Sequence, residues 1–173
     1  MRPDPAPNAS AGTKPELYRT LAEQTRAVLA DERDMVANLA NAAALLFELL
    51  PRLNWAGFYL MKDGELVLGP FQGRVACVRI TVGRGVCGAA AARRRSVVVP
   101  DVHAFPGHIA CDSASRSEIV VPLLKEGRLL GVMDLDSPDL GRFDEADRAG
   151  LESFARAVVD GTDFTNPADP PGS

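Results

Sequence analysis

Two short apolar segments joined by a polar turn constrain the fold of this chain most strongly. Residues 118–124 and 129–136 have the length and the β-branched content of buried strands. The connection between them, residues 125–128, contains Gly127 and has the length of a tight hairpin. The two segments are therefore predicted to pair as antiparallel neighbours, unlike the strands of an alternating β/α fold.

Helices and further strands surround this hairpin. A capping box from Thr13 to Glu16 begins the first helix, the second runs over residues 34–50, and Asp144 with Asp147 begins the last. The other predicted elements are strands at 55–61, 65–69, 76–82 and 96–100, and a short helix at 87–94. The predicted core-facing stripes are Leu17, Leu21, Val28 and Leu29 in the first helix, and Leu151, Phe154, Ala155, Val158 and Val159 in the last.

Because hairpins dominate this order, the expected fold class is α+β, with a largely antiparallel sheet of about six strands flanked by helices. The length of 173 residues suits one domain. The Pro-rich start predicts a disordered tail at 1–12, and the Gly-, Pro- and Asp-rich end predicts a flexible tail at 161–173. A single domain is left at 13–160.

Charge and hydropathy exclude several classes of function. The net charge is −4 and no basic run is longer than the three arginines at 93–95, which argues against a nucleic-acid partner. The longest apolar-rich stretch, residues 39–50, is interrupted by polar residues and is too short to span a membrane. The N-terminus has no apolar signal core, so we expect a cytoplasmic protein in a compartment that keeps thiols reduced.

The three cysteines invite a redox interpretation, because an odd number in such a compartment does not form a standing disulfide framework. The alternative is that all three are small buried hydrophobic residues. Cys87 follows a glycine-rich turn at a predicted helix start, which would lower the pKa of its thiol. That turn, residues 83–88, also matches the dinucleotide fingerprint G-x-G-x-x-G, but the helix after it is too short for a βαβ crossover.

A second cysteine, Cys111, lies in a long loop at residues 101–116. Long loops in compact domains are usually functional, and a thiol there is more accessible than one on an apolar strand face. A reactive role for Cys111 is therefore favoured over an inert thiol.

Acidic side chains lie beside the predicted strand cores. Asp134 and Asp136 are two residues apart, so they project from one face of an otherwise apolar strand. Glu118 opens the partner strand, and the three carboxylates converge at one end of the sheet if the register permits. The alternative is that the two aspartates only end a strand and cap a turn.

The aromatic and histidine residues also have two interpretations. Trp55 and Tyr59 share a face of the first predicted strand, where they belong to the core or form the wall of a small-substrate pocket. His103 and His108 lie in the Cys111 loop. With the cysteines they show no C-x-x-C and no recognised zinc spacing, so we expect no metal site.

Together these segments resemble the free methionine-(R)-sulfoxide reductase family, a branch of GAF domains. The resemblance covers roughly residues 15–160 and rests on the three-cysteine set, which a generic GAF domain lacks. The motifs that carry it are at residues 69–73, 77–80, 83–88, 99–103, 105–112, 117–122 and 134–138.

The resemblance implies a GAF-type fold and a role for each motif. Cys111 would be the attacking cysteine, and Cys77 or Cys87 would resolve its sulfenic acid. The acids that would hold the sulfoxide are Glu118, Asp134 and Asp136. The residues that would hold the rest of the substrate are Trp55, Tyr59, Ser115, Arg116 and Ser117.

The implied function is reduction of free L-methionine-(R)-sulfoxide to L-methionine by a thiol-dependent oxidoreductase that acts in oxidative stress. Thioredoxin would be the external reductant, and no bound cofactor is expected. The R preference rests on the resemblance alone. The competing interpretation is a GAF module that senses a small ligand without chemistry. The sequence leaves open which of Cys77 and Cys87 resolves, and whether the chain forms a homodimer.

Overall fold

The computed structural model describes residues 12–109 and 111–165, and its centre is a six-stranded antiparallel sheet. The elements in chain order are α1 (Lys14–Leu29), α2 (Met35–Leu49), β1 (Trp55–Lys62), β2 (Glu65–Gly73), β3 (Arg79–Thr81), α3 (Gly85–Arg93), β4 (Val97–Val99), β5 (Ser117–Lys125), β6 (Arg128–Ser137) and α4 (Glu145–Gly161). The strand order is β3-β2-β1-β6-β5-β4. The predicted α+β class and the number of strands are confirmed.

The β5–β6 hairpin forms as predicted. Glu126 and Gly127 both have positive φ, 51° and 79°, as the two central residues of a type I′ turn require. The turn and a bulge after Leu123 set a register in which Glu118 lies opposite Asp136 at the open end of the hairpin.

Side-chain alternation divides the sheet between two cores. One face packs against α1, α2 and α4, and it takes every second residue of the central strands, among them Phe58, Ile119 and Leu135. The other face packs against α3, and its buried residues include Trp55, Tyr59, Cys87, Val120 and Val132. Glu118, Asp134 and Asp136 alternate with the first set, so they lie on the α3 side.

The local predictions differ from the structure at three places. β2 continues to Gly73 instead of ending at 69. β3 covers Arg79–Thr81 and not residues 76–82, because the segment before it is tied elsewhere by a disulfide at Cys77. In α1 the face that packs on α4 includes Tyr18, Ala22 and Thr25, and Val28 is 45% exposed. The predicted stripe of α4 is buried throughout.

The domain extends slightly beyond residue 160. Thr162 is fully buried, and the side-chain amide of Asn38 in α2 donates to the Gly161 carbonyl and to the Thr162 hydroxyl. Residues 166–173 of the predicted C-terminal tail, and residues 1–11 of the N-terminal one, lie outside the described residues. Within the described ranges, no helix has the length and hydropathy needed to cross a membrane.

A buried carboxylate ties the first helix to the last. Asp147, 1% exposed, accepts hydrogen bonds from the Tyr18 hydroxyl at 2.8 Å, from Lys14 at 2.7 Å and from Arg142 at 3.2 Å. It also accepts from the backbone N–H of Asp144, completing the predicted capping box. This network fixes the α1–α4 layer under the sheet.

We expect Asp147→Ala to lower the free energy of unfolding by about 3–5 kcal/mol, because it leaves the buried Tyr18 hydroxyl without its acceptor and removes the buried carboxylate that pairs with Lys14 and Arg142. Glu145→Ala is the matched control, since Glu145 lies in the same first turn but pairs with Arg148 in solvent. Its effect should stay within about 0.5 kcal/mol. Urea unfolding of both variants measures this, and equal losses would contradict the role of Asp147.

Candidate active site

Three acidic side chains meet at the open end of the β5–β6 hairpin. Across the sheet, Trp55 of β1 lies opposite Asp136, and Asp136 lies opposite Glu118. Asp134 is one pleat away, opposite Val120. The register therefore brings the three carboxylates to one face, as the two-residue spacing predicted.

These acids line a cavity of about 40 Å³ between the sheet, α3 and the Cys111 loop. The space suits an ion or a few water molecules. Of the residues singled out from the sequence, those that line it are Trp55, Tyr59, Cys87, Cys111, Ser115, Glu118, Asp134 and Asp136.

Cys111 is joined to Cys77 by a disulfide with a Cα–Cα distance of 5.7 Å. The bond closes the Cys111 loop against the segment that leads into β3. Tyr59 holds this segment as well, because its hydroxyl donates to the Cys77 carbonyl at 3.0 Å. Of the two cysteines that the sequence left as candidates for resolution, the structure pairs Cys77 with Cys111 and leaves Cys87 as a free thiol.

The expectation of a lowered pKa for Cys87 is wrong. Cys87 does lie in the first turn of α3, but it is buried with its Sγ 4.0 Å from Oε1 of Glu118. Burial raises the pKa of the thiol, and the charges of Asp134 and Glu118 raise it further. Desolvation and neighbouring carboxylates outweigh the helix dipole here.

The acid cluster holds protons more tightly than free carboxyls do. Burial raises the pKa of Glu118 well above its usual range, and the charges of Asp134 and Asp136 add to the shift. Burial raises the pKa of Asp134 to about 6, while hydrogen bonds from Cys87 and Glu118 limit the rise. The pKa of Asp136 is also raised, by burial and then by the charges of Asp134 and Asp112. Such a cluster retains at least one proton near neutral pH.

Two of the predicted substrate contacts are not at the cavity. The Ser117 side chain is fully buried and bonds within the β6–α4 connection, donating to the Asp139 carbonyl at 2.6 Å. The Arg116 side chain is exposed, and its backbone N–H donates to the Ser137 carbonyl. Neither side chain lines the cavity, and the backbone N–H of Arg116 is already engaged. Ser115 does line the cavity.

Asn54, which the sequence did not single out, anchors the Cys111 loop. Its side-chain amide donates to Oδ2 of Asp112 and to the Ser115 hydroxyl, each at 3.0 Å, and its backbone N–H donates to the Asp136 carbonyl. One residue thus connects the neighbour of Cys111 to the strand that carries the acids. An asparagine before a strand has no distinguishing sequence signal.

Two basic residues at the cavity were also missed as binding residues. Arg84 is the exposed N-cap residue of α3. His108 lies with its Nε2 3.9 Å from Oε2 of Glu118, and burial lowers the pKa of its imidazole, with the charge of His103 as a smaller cause.

Trp55 forms one wall of the cavity, stacked on Phe71 and anchored by its indole N–H to the Arg74 carbonyl.

Comparison with known proteins places this site in a family. Residues 30–161 match the model of the GAF domain. The chain is 55% identical to the free methionine-R-sulfoxide reductase of Escherichia coli over 82% of its length and 86% of the relative. It is 47% identical to the enzyme of that name from Saccharomyces cerevisiae, over 71% of this chain and 73% of the relative.

A solved structure agrees with these relatives. The free methionine-R-sulfoxide reductase of Neisseria meningitidis, crystallised in complex with its substrate, superposes with a TM-score of 0.84 at 53% identity, covering 88% of this chain and 92% of that one. The sequence match, the shared fold and the cysteine–carboxylate cavity agree: the chain belongs to the GAF domain family and, within it, to the free methionine-R-sulfoxide reductases.

Proposed function

We propose that this protein reduces free methionine-(R)-sulfoxide to methionine with Cys111 as the nucleophile. The observation that carries the proposal is that Cys111 and three carboxylates with raised pKa line one cavity. Two relatives that share about half of its sequence, those of Escherichia coli and Neisseria meningitidis, bear the name of this activity. A nucleophilic sulfur and a retained proton are the two groups that sulfoxide reduction needs.

The acid cluster activates the substrate. A sulfoxide sulfur becomes electrophilic when its oxygen is protonated or strongly hydrogen-bonded, which requires an acid that keeps its proton near neutral pH. Glu118 and Asp136 lie opposite each other at the cavity and supply such protons. The Cys111 thiolate forms a bond to the substrate sulfur, the S–O bond breaks, and the protonated oxygen leaves as water. A water molecule then attacks the Cys111 sulfur, the new S–S bond breaks, methionine leaves, and Cys111 is left as a sulfenic acid. Cysteine is thus oxidised as the substrate is reduced.

Cys77 resolves the sulfenic acid in this proposal. Its thiol attacks the Cys111 sulfur, water leaves, and the disulfide seen between the two residues forms. An external dithiol, for which we propose thioredoxin, returns two electrons and two protons. The reaction therefore requires a reducing compartment, which we propose is the cytoplasm. Neither the acids nor the thiols need a bound cofactor for these steps.

The cavity also provides for the charged ends of a free amino acid. Arg84 at the rim offers a cation for the substrate carboxylate, and the acid cluster attracts the ammonium group. Trp55 is placed to contact the methyl group. Because the disulfide occupies the Cys111 sulfur that must attack, we propose that the substrate reacts only with the reduced form.

We expect the reduced protein to release methionine from the free R sulfoxide, and not from the S sulfoxide or from a peptide-bound control. Peptide bonds neutralise both charged ends, which removes the electrostatic part of recognition. Chromatographic assay of methionine with dithiothreitol as reductant measures this. A ligand-sensing module would instead leave the sulfoxide intact, and that result would contradict the proposal.

The two cysteine substitutions separate the steps. Cys111→Ser should abolish methionine release, because no sulfenic acid forms. Cys77→Ser should still release about one methionine per enzyme in a single turnover without reductant, because attack precedes resolution. Mass spectrometry should then find a sulfenic acid, not a disulfide, at Cys111. Near wild-type turnover by Cys111→Ser would overturn the assignment.

The acid role predicts opposite effects on activity and on stability. Asp136→Asn removes a proton donor and should lower kcat by about a hundredfold or more. A carboxyl whose pKa is raised by folding stabilises the native state below its unfolded pKa, and this contribution is lost as pH rises through the folded value. Asp136→Asn should therefore unfold at the same or a higher temperature than wild type at pH 8, without such a gain at pH 4. Thermal unfolding at both values checks the sign.

A further inference from the structure

Cys87 has no part in the proposed reaction, yet it lies against two of the acids. Its Sγ and one carboxylate oxygen each of Glu118 and Asp134 lie within 4.8 Å of one another, and all three residues are buried. They come from α3, β5 and β6, three elements that the two cores hold rigidly together.

A second observation points to a ligand at this position. Asp134 is only 6% exposed, and its Oδ1 has no hydrogen-bond partner, one of two such buried oxygens among the side chains of residues 12–109 and 111–165. Buried polar atoms are normally satisfied, so an unpartnered carboxylate oxygen at a cavity is free to accept a bond from what enters.

We propose that Cys87, Glu118 and Asp134 form a binding site for a single zinc ion, and that zinc at this site inhibits the reductase. One thiolate and two carboxylates are a donor set that favours zinc over calcium or magnesium, which prefer oxygen alone. Zinc replaces the protons that these groups hold, and its charge offsets the three anions formed.

The spacing of the donors fits this ion after a small movement. With Zn–S at about 2.3 Å and Zn–O at about 2.0 Å, two tetrahedral ligands lie about 3.5 Å apart. The Cys87 Sγ and Glu118 Oε1 lie 4.0 Å apart. His108, with Nε2 3.9 Å from the other Glu118 oxygen, is near enough to bond a zinc-bound water in the fourth position. The sequence showed no zinc motif because the donors come from separate elements.

Inhibition follows because zinc and the sulfoxide both require Glu118, which cannot give a proton to the substrate while it binds the metal. This part of the inference rests on the proposed function, whereas zinc binding itself does not. Zinc would raise the apparent KM for the sulfoxide, and a chelator would restore the rate. Cys111 is not a ligand of the proposed zinc site, so the form with the Cys77–Cys111 disulfide should bind zinc as well.

Cobalt binding to the oxidised protein tests the site directly. With Cys77 and Cys111 in a disulfide, Cys87 is the remaining thiol of the three cysteines in the chain. We expect Co²⁺ to bind at one per chain with a thiolate-to-cobalt charge-transfer band in the near ultraviolet, and Zn²⁺ to displace it. Cys87→Ala should abolish the band, and Asp134→Asn should weaken binding about tenfold or more.

Asp139→Asn is the matched control, because Asp139 lies three residues beyond Asp136 but pairs with Arg52 at the surface. It should leave the cobalt affinity unchanged. No band, a band that survives in Cys87→Ala, or unchanged affinity in Asp134→Asn would overturn the site. If Cys87→Ala does not fold, as circular dichroism would show, the Asp134→Asn affinity decides.

Single-turnover methionine release by prereduced, desalted enzyme, with and without Zn²⁺, then tests inhibition. Methionine release without the cobalt band would support the proposed reductase activity and overturn the zinc site. A cobalt band without methionine release would support the zinc site and overturn the proposed function. Release that Zn²⁺ does not slow would overturn the inhibition.

Discussion

The burial of three carboxyl groups at the open end of the β5–β6 hairpin is the constraint on which the rest of this site depends. Burial raises the pKa of Asp134 to about 6, so ionisation of this carboxyl opposes folding. The strand register holds Glu118 opposite Asp136, so these carboxyl groups cannot move apart to reduce their mutual repulsion. The two packed faces of the sheet supply the stability that maintains this arrangement.

The cavity brings these buried carboxyl groups close to the cysteine side chains. Asn54 joins β1 to the loop of Cys111, and Tyr59 holds the backbone of Cys77, so both ends of the disulfide are tied to the strand next to the acids. Cys87 completes the cavity on the α3 side, where burial and then the charges of the carboxylates raise the pKa of its thiol. The same electrostatics that make one cysteine unreactive keep protons available for a substrate oxygen.

The sequence predicted the fold and the acid cluster because both follow from local rules. The alternation around residues 134–136 and the glycine turn at 127 determine which face the acids take, and the register then brings Glu118 to Asp136. The shape of β3 was not predictable, because a contact distant in sequence, the bond from Cys77 to Cys111, takes the chain out of the sheet.

The errors at the site have the same origin. The pKa of Cys87 was assigned from its helix, but residues distant in the chain bury it and raise that pKa. Arg116 and Ser117 follow Ser115 in sequence, yet the backbone N–H of Arg116 bonds to Ser137 and the Ser117 hydroxyl bonds to Asp139, away from the cavity. Asn54 and Arg84 have their roles because the fold places them beside the cavity, and a single sequence does not reveal that placement.

Infrared difference spectroscopy of the carboxyl groups tests the central claim most directly. The account predicts a protonated carboxyl C=O band that persists at pH 6–7 in the wild-type protein and is reduced in Glu118→Gln and in Asp136→Asn. If every carboxyl of the protein ionised near pH 4, with no band left above pH 5 and no difference in these variants, the claim that buried carboxyl groups stay protonated near neutral pH would be contradicted.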